Sequence, residues 1–165
     1  HFTDRRQRQM CIRDSNWIKL FINKEATKRL TTFLNLSTID ARYVSSDEPA
    51  YDNKKVELVP PVTLRTGLSV SNDKFSASYQ FSYVNEHYSD ATNAVTHPHG
   101  IVGLIPSYYV MDISITYSIN KFQFEGGINN LTNRSYFTRR ATGYPGPGII
   151  PSPPRNFYIA AQIKL

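Results

Sequence analysis

Apolar and polar residues alternate with a period of two through most of this chain. From Ser107 to Ile119, Tyr109, Met111, Ile113, Ile115, Tyr117 and Ile119 share one parity; Tyr108, Val110, Asp112, Ser114, Thr116 and Ser118 share the other. Phe75, Ala77, Tyr79, Phe81 and Tyr83 oppose Lys74, Ser76, Ser78, Gln80 and Ser82. Phe122, Phe124, Gly126 and Ile128 oppose Lys121, Gln123, Glu125 and Asn129. At the end, Phe157, Ile159, Ala161, Ile163 and Leu165 oppose Asn156, Tyr158, Gln162 and Lys164. Successive side chains of a strand point to opposite faces, so each run predicts a strand with one apolar face. Leu58, Val62, Leu64, Leu68 and Val70 form a fainter stripe, residues 29–45 are mixed, and residues 16–22 read as one more strand. The expected architecture is all-β, with about seven strands.

The connections alternate in length. Asn23–Lys28, Ser71–Lys74 and Asn120–Lys121 are short, while Ser46–Glu57, Asp90–Pro106 and Thr132–Arg155 are long. Short turns on one side and long loops on the other characterise an outer-membrane barrel. Strands of ~10 residues are long enough to cross a bilayer when tilted. A soluble β-sandwich would also alternate, but with strands nearer ~5–6 residues. Two readings therefore stand at this level, a partial transmembrane antiparallel β-barrel and a soluble β-sandwich binding module. Single-chain bacterial barrels have an even number of strands, and seven would leave two unpaired edges, so the barrel reading implies a fragment of a larger barrel.

Composition adds limits. The chain has 165 residues, a formal charge of +6, 11 tyrosines, 9 phenylalanines and one cysteine. No run of ~18 apolar residues is present, which excludes a transmembrane helix but not a barrel. The Tyr and Phe counts favour strands. No secretory signal opens the chain, so an exported protein would lack its true start here.

The basic N-terminus carries a separate implication. Residues 5–15 read RRQRQMCIRDS. Back-translated, they resemble a tagmentation adapter of short-read sequencing libraries. Residues 1–15 are accordingly expected to be adapter-derived and not structural, with the barrel-like chain spanning 16–165. Four arginines against two aspartates lie in that stretch, so its removal lowers the formal charge from +6 to +4. Cys11 goes with it. A nucleic-acid partner argued from the basic arm, or redox chemistry argued from Cys11, would rest on that stretch alone.

From Asn129 onward the sequence resembles a known family. Asn129-Asn130-Leu131-Thr132-Asn133 is similar to the N-N-L-x-[DN] element that ends the penultimate strand of TonB-dependent receptors. It is followed by Tyr136-Phe137-Thr138-Arg139-Arg140, by Gly143-Tyr144-Pro145-Gly146-Pro147-Gly148, and by Pro151 and Arg155. Upstream, Pro106-Ser107-Tyr108-Tyr109-Val110-Met111-Asp112 and Asp90-Ala91-Thr92-Asn93 also fit the pattern. The order resembles the ferric-citrate receptor-like branch. The last residue departs from it, since the family usually ends in an aromatic and this chain ends in Leu165.

The resemblance implies a larger barrel of 22 strands in the cell outer membrane, closed by a plug domain and energised through the TonB protein. It implies transport of a ferric chelate, either ferric citrate or a siderophore, with lipid and the barrel assembly machinery as further partners and no resident cofactor. A passive porin is the alternative within the same membrane. No enzyme is expected, because no Ser/His/Asp set, phosphate loop or zinc spacing occurs.

Within this frame Arg139, Arg140 and Tyr144 are the candidate substrate-binding residues. A guanidinium matches a carboxylate bidentately. The competing role for the arginines is to anchor the loop. Arg155 is expected to hold the loop or the plug. His97-Pro98-His99 offers two imidazoles, too few for a site, and reads as an exposed loop. Asp112 and Glu125 are expected to face the lumen, since a charge on the lipid face could cost ~2–4 kcal/mol. Tyr79, Tyr83, Tyr109 and Tyr117 are candidates for aromatic girdles. Tyr144-Pro145-Gly146-Pro147-Gly148 should form a semi-rigid turn that no ladder tolerates.

Overall fold

The computed structural model describes residues 12–27, 29–44, 49–143 and 146–163, the side chains of 12–15 and 27 excepted. In chain order the strands are Ile12–Thr27 (β1), Leu30–Tyr43 (β2), Val62–Ser71 (β3), Phe75–Val84 (β4), His87–Tyr88 (β5) and Leu104–Ile105 (β6). They continue with Tyr108–Ile119 (β7), Phe122–Asn129 (β8), Phe137–Ala141 (β9), Gly148–Pro151 (β10) and Asn156–Ile163 (β11). Seven long strands form one sheet in the order β1-β2-β3-β4-β7-β8-β11, each antiparallel to its neighbour. The four short strands pair as two ribbons within the long loops, β5 with β6 and β9 with β10.

The register turns the sequence parity into two faces. Leu36, Leu64, Tyr83 and Tyr109 form one cross-strand row, and Leu68, Tyr79, Ile113, Ile128 and Phe157 form another on the same face. The opposite face carries Asn35, Arg65, Ser82 and Val110 in one row and Ser69, Ser78 and Ser114 in the next. Side chains of this second face, drawn from β1, β2, β3, β4 and β7, line a single concavity of about 600 Å³. The sheet is therefore curved, with its polar face inside the curve.

Burial decides between the two folds. Among the described residues the buried apolar side chains are Tyr43, Val56, Ile105 and Ala141, all in or beside the long loops. None lies in mid-sheet. A sandwich buries one face of each sheet between layers; here Ile115, Tyr117, Phe124, Phe157 and Ile159 stay exposed on the convex face. An apolar surface of that extent needs an apolar solvent. Tyr109 and Tyr117 lie eight positions apart on that face, which is ~27 Å along a strand at ~3.4 Å per residue. At a tilt of ~40° this projects to ~20 Å, close to the ~25 Å apolar band between aromatic girdles.

Three boundaries differ from the sequence reading. β1 runs through Asn23–Lys28 as far as Thr27, where a turn was expected. Asn23, Lys24 and Glu25 pair with Phe33, Thr32 and Thr31, because backbone pairing does not require apolar side chains at a strand's watery end. β1 also begins at Ile12, upstream of Asn16, with an irregular register between Ile12 and Ser15. Leu58 lies outside β3, exposed and with φ of 56°. The other two short turns are as expected: Asn72 accepts the Lys74 and Phe75 amides at 3.0 and 2.8 Å, and Asn120 takes φ of 51°.

Two glycines on the lumenal face lie under aromatic rings. The Cβ of an alanine at Gly67 would sit 2.5 Å from Phe33 Cε1 and 2.6 Å from the Tyr79 carbonyl oxygen. At Gly127 it would meet the Tyr158 ring at 2.5 Å, whereas at Gly126 the nearest atom is 3.6 Å away. Gly67→Ala should therefore destabilise the barrel by ~1–3 kcal/mol, and Gly126→Ala should be nearly neutral. Urea unfolding of the folded barrel, followed by heat-modifiable gel migration, checks the difference; equal midpoints for the two variants would contradict the packing.

Candidate functional site

The long-loop end of the sheet is organised by the Asn129–Asn133 element. Asn130 is 3 % exposed and left-handed, with φ of 53°. That conformation is tolerated by Asn better than by most residues. Its amide donates to Asp112 Oδ1 at 2.9 Å. Its side chain donates to the Arg134 and Pro153 carbonyls at 2.9 and 3.3 Å and accepts the Arg134 amide at 2.8 Å. Asn133 accepts the Arg155 amide at 3.0 Å, and Asn129 donates to Asn156 Oδ1 at 2.9 Å. The Leu131 amide donates to the Met111 carbonyl at 2.7 Å. One motif thus joins the end of β8 to β7, to the start of β11 and to both ends of the last loop.

The three long loops are also tied to one another. Asn93 pairs twice with the backbone of Lys55, accepting its amide at 2.7 Å and donating to its carbonyl at 2.8 Å. The Leu58 amide donates to the Tyr88 carbonyl. Asp90 and Thr92 close the tight turn that presents Asn93. Tyr43, 2 % exposed, donates its hydroxyl to Glu57. Tyr108 and Tyr136 stack at 4.6 Å, joining β7 to the last loop.

Arg139 and Arg140 occupy adjacent positions of β9, so their side chains leave on opposite faces. Arg139 is exposed. Arg140 lies over the Phe137 ring at 5.1 Å and donates to the Gly100 and Leu104 carbonyls at 2.8 and 3.0 Å. Two of its guanidinium nitrogens are thereby engaged by the neighbouring loop. Tyr144 and Pro145 lie outside the described residues. Gly143 and Gly146 flank them with open space around both. The expectation that the Tyr144–Gly148 turn excludes a ladder is corrected in one respect: Gly148 pairs with Ala141, and a hairpin flanks the turn. The flanking residues supply the ladder, and Pro151 falls where the register is irregular, as proline in a strand requires.

Other expectations find their places. Asp112 is on the lumenal face, but its carboxylate is used within the wall, by Asn130. Glu125 likewise accepts the Tyr158 hydroxyl at 3.0 Å. Arg155 does hold the loop, through its amide to Asn133 and its side chain near the Leu131 carbonyl. His97 and His99 lie 5.6 Å apart, and His97 Nδ1 accepts the His99 amide at 3.2 Å.

The sequence reading missed Lys19, Arg65, Asn35 and Gln80, which line the lumenal concavity with Tyr108, Tyr136 and Asp112. Parity carried the signal: Arg65 stands on the polar side of the stripe from Val62 to Val70. Two cations face the lumen there against Asp112, whose charge is already partly engaged.

A family model of the TonB-dependent receptor-like β-barrel matches residues 16–131, more than half of the chain. The chain belongs to that family. It is an outer-membrane barrel wall, and the sandwich and porin readings of the strand pattern fall away. The ferric citrate transporter FecA superposes with a TM-score of 0.74 at 16% identity, covering 82% of this chain and 21% of that one. The ferric yersiniabactin uptake receptor FyuA of Yersinia pestis gives 0.76 at 16% identity, covering 90% and 23%. The siderophore receptor PiuA of Acinetobacter baumannii gives 0.72 at 19% identity, covering 89% and 21%. The chain thus spans about a fifth of the length of these neighbours. No curated protein matches.

Because Asn130 satisfies otherwise buried backbone groups, Asn130→Ala should cost ~1–3 kcal/mol for each group left unpaired. Limited proteolysis should then cut between residues 132 and 155 at least several-fold faster. Unchanged cleavage would show that the last loop is held by other contacts.

Proposed function

We propose that this chain forms wall and outer mouth of a receptor that takes up a ferric chelate, ferric citrate or a siderophore, across the outer membrane. In this reading the complete receptor is a 22-stranded barrel with a plug domain, and the TonB protein drives transport from the inner membrane. The observation that carries the reading is the cationic lumenal concavity, with Lys19 and Arg65 facing inward below loops tied into one layer. A concave, positively lined surface attracts an anion. The solved neighbours, a ferric citrate transporter, a ferric yersiniabactin uptake receptor and a siderophore receptor, support the same class.

Arg139, exposed on β9, and Tyr144, which follows it in the sequence, are the residues proposed to meet the chelate. Arg140 contributes by position, since its Nη1 and Nη2 donate to loop carbonyls. Arg139→Glu in the complete receptor should weaken ferric citrate or siderophore binding about tenfold, a change of ~1.4 kcal/mol. Equilibrium binding to purified receptor measures it, with energy-dependent iron uptake by receptor-deficient cells as the second readout. Wild-type affinity in that variant would remove Arg139 from the site, and uptake unaffected by an uncoupler would contradict the proposed coupling. Residues 1–15 are proposed to lie outside the receptor's coding sequence; long reads across the codons for 1–16 would show an unrelated native sequence upstream of Asn16.

A further inference from the structure

The lipid-facing side of β7, β8 and β11 holds a groove with a charged rim. Ile115, Gly126 and Ile159 form one cross-strand row, and the missing side chain at Gly126 opens the surface between two isoleucines. The resulting groove measures about 490 Å³ and is walled by Tyr117, Phe124, Ile128 and Phe157. At its loop end the Arg155 guanidinium lies 6.0 Å from the Phe157 ring. Arg134 lies 5.2 Å from the ring of Tyr109, which shares the convex face. Both arginines are exposed, and among the described residues neither has a carboxylate partner.

The Asn element fixes where these cations emerge. Asn130 holds the backbone of Arg134 through two hydrogen bonds, and Asn133 holds that of Arg155. Each side chain then lies along an outward aromatic ring. Aromatic rings at this height mark the boundary between acyl chains and headgroups. A guanidinium is well suited to a phosphate, which it can bind bidentately.

We propose that this face binds one outer-leaflet lipid with a phosphorylated headgroup, its acyl chain lying over Gly126 and its phosphate meeting Arg155 and Arg134. The charge pattern selects this occupant over a second copy packed symmetrically on this face, which would set the same arginines against each other. The site depends on the outer-membrane location and not on which chelate is transported.

The test uses the complete receptor in non-ionic detergent micelles doped with phosphatidic acid or with diacylglycerol of the same acyl chains, read by native mass spectrometry. Wild type should retain phosphatidic acid about tenfold more than diacylglycerol. The double variant Arg134→Ala/Arg155→Ala should lose that preference, and Gly126→Leu should lower retention of both lipids by filling the groove. Lys121→Ala, at the opposite end of the strands, should match wild type. Heat-modifiable migration identifies folded variants, and if a variant fails to fold the wild-type comparison alone decides. Equal retention of the two lipids by wild type would overturn the proposal. So would an undiminished preference in the folded double variant, or a receptor dimer covering the face with no lipid bound.

Discussion

Backbone hydrogen bonding in an apolar solvent is the constraint on which the rest of this structure depends. A peptide group in the hydrocarbon layer has no water to pair with, so a spanning segment must satisfy its donors and acceptors within the protein. Antiparallel neighbours do this by direct pairing, which gives the uninterrupted order β1-β2-β3-β4-β7-β8-β11. Pairing in turn fixes the side-chain period at two, with lipid on one face and the lumen on the other. The absence of buried apolar residues in mid-sheet among those described is the expected result. Apolar burial instead gathers where water returns, in the loop layer around Tyr43, Val56, Ile105 and Ala141.

That division explains where the charges lie. Asp112, Glu125, Arg65 and Lys19 share the lumenal parity. The two carboxylates are committed to hydrogen bonds within the wall, while the two cations line an open concavity. The concavity itself holds Lys19 and Arg65 against Asp112 and so is locally positive. On the other face, Arg134 and Arg155 reach outward only at the loop end, beside rings that mark the edge of the apolar band. The Asn129–Asn133 element serves both sides, since it positions the last loop above the lumen and the two arginines above the lipid.

The seven spanning strands were legible because a period-two pattern survives in any strand with two different solvents. β7, β4, β8 and β11 were readable nearly residue by residue. β1 was shortened in the reading because Asn23, Lys24 and Glu25 have turn chemistry, yet the partner's backbone extends the ladder through them. The ribbons β5–β6 and β9–β10 were not legible, since two to five residues carry too little pattern and their pairing depends on contacts between loops. Arg140 illustrates the limit for the site. Sequence placed it beside Arg139 with the same chemistry, and only the fold separates an exposed guanidinium from one that ties two loops through the carbonyls of Gly100 and Leu104. Arg65 is marked only by its parity, as one charge on the polar side of a weakly patterned strand.

The central claim is that the two parities of one sheet face lipid and lumen. Single cysteines placed along β7 and β4 of the complete receptor, in native outer membranes, test it most directly. Cysteines at Ile113, Ile115, Ala77 and Tyr79 should resist a membrane-impermeant thiol reagent, and a bimane label there should be quenched by nitroxide-bearing lipid. Cysteines at Ser114, Thr116, Ser78 and Gln80 should show no such quenching. An alternation with period two across both strands is the predicted result. Lipid quenching that ignores parity, or reagent access to both faces alike, would contradict the barrel wall described here.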